Sequence, residues 1–400
     1  MEAGKEIIPL KVGFHYHIPA LKANDGSVLV PSFLGTFLDG LAAECDILYC
    51  LLFSALKSEE QMCNYTLQSK NIIWVDMGPH ASIPQRYLRS NAAKKIIKEL
   101  EEKVDVMLVR TPTPYIPFFS RIINKKKLAL YIVGDYSLSG EMKMKQPKKF
   151  LTQILYRYMS GAEDHFAKQN GLVITNSRNL FERFGTLTKN VLEIKSTTIT
   201  GNSFYKRPDT CTKKPVNLLY TGRLEPLKNI PLIFGAVKEL ISQGIAINFN
   251  MAYVMDAASA KYLEYLKKLV ETLGIKNNVI FHGQKKIGDE LNAVYRSCDI
   301  YIIASSTEGF PRGAWEAMAN SVPVIATKVG SIPYFLEDRE DAVLIDPNNK
   351  GQIVDAIKEV VLNDELRRKI ISNGYELASD NTIERQSYKM ISSLYNYINS

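Results

Sequence analysis

Two glutamates, Glu308 and Glu316, stand with seven residues between them in Glu308-Gly309-Phe310-Pro311-Arg312-Gly313-Ala314-Trp315-Glu316-Ala317-Met318-Ala319. A carboxylate accepts hydrogen bonds through both oxygens, and vicinal hydroxyls of a ribose or hexose can donate two of them together. A pair of such groups suits a polyhydroxylated ligand. Upstream, Leu218-Leu219-Tyr220-Thr221-Gly222-Arg223-Leu224-Glu225-Pro226-Leu227-Lys228-Asn229 adds two cations. Arg223 brings a planar fork for phosphate oxygens and Lys228 a mobile point charge, together a clamp for a diphosphate. Taken singly, each residue has a plainer account. Glu308 is then a solvated loop residue, Glu316 a carboxylate favoured near a helix N-terminus by the dipole, and the two cations ordinary surface charge.

The elements around these residues decide whether they can converge. Asp299 to Ser306 is a short, apolar, β-branched run and reads as a buried parallel strand. Gly309, Pro311 and Gly313 then break the pattern before a short helix, Ala314 to Asn320, which places Glu316 in or near its first turn. The upstream run likewise ends at Gly222, and Ile230 to Gln243 reads as a helix with Asn229 as its cap and Pro231 in its first turn. Arg223 and Lys228 thus flank a helix N-terminus, where free N–H groups and the dipole favour anions. Both sites lie at the carboxyl ends of strands, the ligand position of open parallel sheets.

The rest of the chain supplies the sheets. In the first half, Lys11 to Tyr16, Ile47 to Phe53, Ile72 to Asp76, Val104 to Val109, Leu128 to Val133 and Leu172 to Thr175 read as strands, with helical stretches such as Gln85 to Glu102 between them. Gly244 to Val254, Asn278 to His282, Val322 to Thr327 and Ala342 to Ile345 continue the alternation in the second half. This is the pattern of doubly wound α/β sheets. Thr197 to Pro215, rich in Thr, Lys and Pro without apolar periodicity, marks a linker.

Four blocks now stand in order: Gly222 to Asn229, Phe281-His282-Gly283, Glu308 to Ala319, and Ser321 to Pro333 (Ser-Val-Pro-Val-Ile-Ala-Thr-Lys-Val-Gly-Ser-Ile-Pro). Their combination and spacing resemble the large retaining glycosyltransferase family 4, of GT-B fold, over about Leu218 to Pro333. The resemblance weakens towards the N-terminus. It implies an α/β chain with two Rossmann-like parallel-sheet domains facing each other across a cleft. Residues 1–200 would bind the acceptor, 201–382 the nucleotide sugar, and 383–400 would form a helix crossing back to the first domain. It puts Arg223 and Lys228 on the donor diphosphate, Glu316 on the ribose hydroxyls and Glu308 at the transferred sugar. Backbone groups around Gly309, Phe310 and Pro311 would assist, His282 and Gly283 would line the base pocket, and Gly330, Ser331 and Ile332 would form a backbone wall. His282 has a structural alternative, as a hydrogen-bonded residue at a strand end.

The implied reaction moves a hexosyl group from a UDP- or GDP-sugar to a hydroxyl of a lipid-linked or polysaccharide acceptor, with retention, as in cell-envelope polysaccharide synthesis. Arg223, Lys228 and helix N–H groups would stabilise the charge that grows on the departing diphosphate. No metal or other cofactor is expected. The N-terminal half departs from the family pattern. Where many members carry a Gly-rich loop after the first strand, this chain has His15-Tyr16-His17-Ile18-Pro19-Ala20, with only Gly26 beyond; where many carry a His, it has Val133-Gly134-Asp135-Tyr136. His15, His17, Gly26 and Asp135 remain candidates there, with structural roles as the alternative.

The chain's 400 residues exceed what one core usually organises. The formal charge is +8 and the pI about 9.0. Residues 1–200 hold 26 Lys and Arg against 19 Asp and Glu, whereas the second half is nearly neutral at 24 against 23. Arg121, Lys125, Lys126, Lys127, Lys143, Lys145, Lys148 and Lys149 concentrate the excess. They suit anionic lipid headgroups or a pyrophosphate-bearing acceptor, or serve only solubility. Leu151, Ile154, Leu155, Tyr158 and Met159 follow at helical spacing, as core or as a membrane-facing stripe. The basic run lacks interleaved aromatics, so no nucleic acid is expected. Five cysteines without C-x-x-C spacing suit reduced thiols. With no signal peptide and no apolar run near 20 residues, the expectation is a cytoplasmic protein with peripheral contact to the inner membrane face. A nucleotide-sugar epimerase and a phosphorylase of the same fold stay open, as does a non-catalytic basic nucleic-acid-binding protein. A dinucleotide-binding dehydrogenase is disfavoured, because no G-x-G-x-x-G follows the opening strand.

Overall fold

The computed structural model describes residues 7–82, 85–86, 89–134, 148–254 and 259–400, and for residues 148–153 and 155 the backbone alone. The chain divides into two compact units, Met1–Lys195 with Ile383–Ser400, and Ser196–Thr382.

In the first unit the strands β1 (Ile8–Lys22), β3 (Cys45–Ser54), β5 (Ile72–Pro79), β6 (Val106–Thr111), β7 (Leu128–Ile132), β8 (Leu172–Thr175) and β9 (Val191–Glu193) pair in parallel, in the order β5-β3-β1-β6-β7-β8-β9. Both faces are covered, which is why these strands read as continuous apolar runs. Along β3 the residues alternate between two cores, Cys50 and Leu52 in one, Leu51 and Phe53 in the other. The first core is closed by α1 (Ser32–Ala42) and the last helix, Ile383–Ile398, which inserts Met390, Ile391 and Leu394. Gly40 permits that approach, since a Cβ there would overlap the Ile383 side chain. The second core takes Ile97 of α2 (Ser90–Glu101) and Phe119 of α3 (Ile116–Ile122). Three short strands, β9 among them, escape the sequence reading. β2 (Val28–Val30) and β4 (Tyr65–Thr66) form an antiparallel ribbon on the far end of β1. They are too short to show a period.

The second unit is a six-stranded parallel sheet in the order β12-β11-β10-β13-β14-β15, with β10 (Val216–Arg223), β11 (Ile247–Val254), β12 (Val279–Gly283), β13 (Ile300–Ile303), β14 (Val324–Thr327) and β15 (Val343–Ile345). Leu218, Tyr220, Ile300 and Ile302 face one core; Leu219, Tyr301 and Ile303 face the other. Asp299 fixes the start of this sheet by accepting from Asn217 N at 2.8 Å and Thr210 Oγ1 at 2.5 Å. The segment read as a linker is docked on this unit rather than free. Tyr205 N bonds Ala319 O at 2.8 Å, and the Arg207 guanidinium donates to the carbonyls of Arg296 and Cys298 at 2.9 and 2.6 Å.

Each sheet starts at an inner strand, builds outward to one side and then to the other. The order reverses between β1 and β6 in the first unit and between β10 and β13 in the second. In doubly wound sheets such switch points open a crevice at the strands' carboxyl ends.

Candidate functional site

Lys228 and Glu308 meet at the switch point of the second unit. Lys228 ends a 3-10 turn, Pro226–Lys228, just beyond β10, and Glu308 lies in the loop after β13. Lys228 Nζ donates to Glu308 Oε1 at 2.5 Å, and Ser305 Oγ donates to the same oxygen at 2.7 Å. The two side chains are only 15% and 12% exposed. An ion pair so shielded holds its geometry, because losing either partner strands a buried charge. Ser306 N bonds Leu227 O at 2.8 Å and ties the two loops together. Asn229 does not cap the helix Ile230–Ser242 with its side chain, as the sequence suggested. It takes a left-handed backbone at φ 52°, and its amide donates to Ala304 O and Asn348 Oδ1 at 3.0 and 2.9 Å. It joins the strand ends instead. Arg223 is largely exposed and pairs with Glu225 at 2.9 Å.

The loop bearing Glu308 is fixed from below. Phe310 is buried and stacks on Trp315 at 4.3 Å, so its side chain serves the core. Pro311 carries no N–H and precedes the helix Arg312–Ala319, which leaves the donors of this loop to its neighbours. Gly330 has φ +57°, and a Cβ there would run into the Glu308 carbonyl. Ser331 N bonds Gly309 O at 2.8 Å, while the Ser331 and Ile332 side chains are buried. At Gly313 a Cβ would overlap the Tyr301 hydroxyl.

Glu316 is 9% exposed, and its carboxylate is oriented by hydroxyls. Thr198 Oγ1 donates to Oε1 at 2.5 Å and Tyr295 Oη to Oε2 at 2.8 Å. Behind Tyr295, Thr221 Oγ1 lies 2.7 Å from its hydroxyl and 3.0 Å from that of Tyr301. Burial, and then the Glu316 carboxylate, push the Tyr295 phenol well above its ordinary value, so it stays a donor. Each oxygen of Glu316 keeps capacity for one further donor, as a vicinal diol supplies. Both glutamates are thereby tied to β10, Glu308 through Lys228 and Glu316 through Tyr295 and Thr221. Thr198, Thr221, Tyr295 and Tyr301 went unmarked in the sequence. They fall in separate segments, and only the fold brings them together.

His282 ends β12, where its Nε2 lies 2.9 Å from Asn250 Oδ1. Burial, and then Lys285, lower its pKa. Gly283 leaves the strand at φ +72°. Beside Glu225, a pocket of about 420 Å³ is lined by Leu224, Pro226, Lys261, Tyr262 and Tyr265, another feature unmarked by sequence.

The candidates of the first unit do not gather in one place. His15 is fully buried, its Nδ1 facing Leu51 O and its Nε2 facing Thr113 Oγ1, each at 3.1 Å. Burial lowers it to about 3. That is a core histidine, closed to any ligand. Gly26 sits in the turn between β1 and β2 at φ +87°, bonded to Ala23 O. The chain there makes a hairpin, and a phosphate loop has no place in it. His17 lies at the sheet's switch point, while Asp135 lies outside the described residues. Of the basic run, Arg121, Lys125 and Lys126 are exposed and Lys127 is half-buried; Lys143, Lys145 and the side chains of Lys148 and Lys149 lie outside the described residues, as do the side chains of Leu151 and Leu155. In the stripe after them Met159 is buried, and Ile154 and Tyr158 are exposed. All five cysteines are free and buried. No helix among the described residues is long and apolar enough to cross a membrane.

Residues 202–377 match the family model for glycosyl transferases group 1. An uncharacterized glycosyltransferase of Methanocaldococcus jannaschii is 31% identical over 163 residues, 40% of this chain and 42% of that protein. A D-inositol 3-phosphate glycosyltransferase of Corynebacterium jeikeium is 34% identical over 152 residues, 37% of this chain and 36% of that protein. The chain thus spans about two fifths of the length of these curated relatives. Across nearly the whole chain, the crystal structure of Anabaena HepE in complex with UDP superposes with a TM-score of 0.69 at 17% identity, covering 97% of this chain and 100% of that one.

Proposed function

We propose, for a chain whose second unit belongs to glycosyl transferases group 1 and whose fold is GT-B, that it transfers a hexosyl group from a nucleoside-diphosphate sugar to a hydroxyl. The observation that carries this reading is the convergence of Lys228, Glu308 and Glu316 on the carboxyl ends of β10 and β13. Glu316, with two oxygens already oriented, takes the ribose diol. Lys228 and the exposed Arg223 take the diphosphate, and Glu308 approaches the sugar.

As the sugar–phosphate bond lengthens, charge passes to the diphosphate. Lys228, held in place by Oε1 of Glu308, stabilises that charge more than the ground state. Glu308 keeps its other oxygen to accept from a sugar hydroxyl. The transfer retains anomeric configuration and needs no metal. UDP is the first nucleotide to try, given the ligand named with the Anabaena structure. We infer a lipid-linked or glycan acceptor in cell-envelope polysaccharide synthesis, with the protein cytoplasmic and in peripheral contact with the membrane. Exposed Arg121, Lys125, Lys126, Ile154 and Tyr158 support that contact.

A thermal-shift panel of UDP, GDP and ADP with wild type and Glu316→Ala tests the donor. A ligand at 100 times its Kd stabilises by about 2.7 kcal/mol. One diphosphate should raise the melting curve of the wild type and fail with the variant. No response to any diphosphate overturns the reading, and conversion of the donor sugar without any acceptor would show an epimerase.

A further inference from the structure

Where the strand order of the first unit reverses, at the carboxyl ends of β1 and β6, buried polar groups stand without partners. Arg86 is 7% exposed, yet among the described residues neither its Nε nor its Nη1 meets an acceptor. Nδ1 of His17 and Oγ1 of Thr111 are likewise shielded and unpaired. β1 shifts register between His15 and Pro19; His17 is placed there by its carbonyl, 2.8 Å from Nε2 of His80, whose ring packs 5.9 Å from Phe53, and the backbone of Pro112, next to Thr111, bonds the His17 ring. The Arg86 guanidinium lies 4.9 Å over the Phe53 ring, and Tyr115 Oη donates to the Arg86 carbonyl at 3.3 Å. After burial, Arg86 is the strongest influence holding the His17 ring neutral, with His80 and Arg110 also contributing. Arg110 stacks over Tyr16 at 4.4 Å, and its own Nε meets no acceptor among the described residues.

Neither arginine has an ion-pair partner among the described residues. Glu59, the carboxylate that acts on Arg86, is bonded to His80 at 2.7 Å. An unpaired buried donor destabilises the fold, and more so when it is charged. A cluster of them at a ligand-binding position calls for an occupant. The Arg86 guanidinium, with Arg110 also acting at the His17 ring, suits a phosphate monoester, which carries nearly two negative charges at neutral pH.

We propose that this crevice binds a phosphate ester with a neighbouring hydroxyl. Its phosphate oxygens accept from Arg86 and from Thr111 Oγ1, and its hydroxyl donates to Nδ1 of the neutral His17 ring. In the transfer reaction proposed above such a ligand is the acceptor. That assignment rests on the reading above; the binding site does not.

Calorimetric titration of the full chain with glycerol 3-phosphate, inorganic phosphate and glycerol tests it. Both phosphates should bind and glycerol should not, with glycerol 3-phosphate about fivefold the tighter. Arg86→Gln should weaken both phosphates at least about tenfold, and His17→Phe should erase only the preference between them. UDP is titrated separately in each variant, so a failed donor reading and a failed phosphate site are told apart. Absence of phosphate binding to the wild type, or equal binding by Arg86→Gln, would overturn the proposal and assign the unpaired groups to water. Displacement of glycerol 3-phosphate by UDP would overturn it in favour of the donor site. If Arg86→Gln does not fold, ¹⁵N-histidine spectra of the wild type decide. Glycerol 3-phosphate should move the His17 ring signals and leave those of His15, and unmoved His17 signals reject the site. Vesicles of phosphatidylglycerol in phosphatidylcholine identify the carrier: binding competed by glycerol 3-phosphate marks a lipid-borne ligand, and no vesicle binding a soluble one.

Discussion

Beyond β10 and β13 of the second unit, Lys228 already has Glu308, and Glu316 already has Thr198 and Tyr295. Beyond β1 and β6 of the first, Nε and Nη1 of Arg86, Nδ1 of His17 and Oγ1 of Thr111 have no such company among the described residues. The two sheets reverse their strand order at equivalent points, so the contrast lies in the side chains. A site in which charge must move needs its cations held in place before the reaction, because reorganisation during the step adds to the barrier. A site that only binds can leave its donors open and be completed by its ligand, with the unpaired groups stored as binding energy.

The sharpest way to break this comparison is to remove the preset cation. Lys228→Met should lower kcat/KM for donor by about 10²–10³, measured as nucleotide release, while phosphate binding at Arg86 stays within twofold (about 0.4 kcal/mol). Loss of both together would mean one site. Next in size is Gly330→Ala, whose Cβ has no room beside the Glu308 carbonyl at a left-handed φ. It should cost the second unit about 2 kcal/mol or more, read by Trp315 fluorescence in a Trp74→Phe background. An unchanged melt would mean the loop is not fixed as described.

The hydroxyl chain gives a finer test. Tyr295→Phe removes one donor from Glu316 and should weaken UDP about tenfold, with 2′-deoxy-UDP unaffected. Equal losses for both nucleotides would reduce Tyr295 to core packing.

A further effect is graded with pH. His15 and His17 are held at about 3 and about 4, mainly by burial, against 6.5 when unfolded. Below 6.5 the unfolded chain therefore binds protons that the folded one refuses. Stability of the first unit is full above that pH and falls as the pH drops towards 4, by up to about 1.4 kcal/mol per unit for each histidine. Trp74 fluorescence in a Trp315→Phe background should follow it, and a flat profile across that range would show the rings to be solvated.

Much of the second unit was legible because its strands are long apolar runs buried on both faces, each ended by Gly or polar residues. Val216–Arg223 and Ile300–Ile303 lie where that pattern puts them. The ribbon of β2 and β4 was not legible, since three and two residues carry no period. Asn229 misled, because a residue that favours caps also tolerates the left-handed backbone that it adopts here.

By itself, the sequence determined the alternation of strands and helices and the residue types at the strand ends, since apolar period and turn chemistry are local. Only the tertiary structure decided which of those residues have partners. Thr198 and Tyr295 reach Glu316 from 118 and 21 residues away, Lys228 reaches Glu308 across 80, and Arg86 reaches no acceptor among the described residues. Hydrogen bonds and ion pairs require approach within a few ångströms, and that proximity is set by sheet order and register.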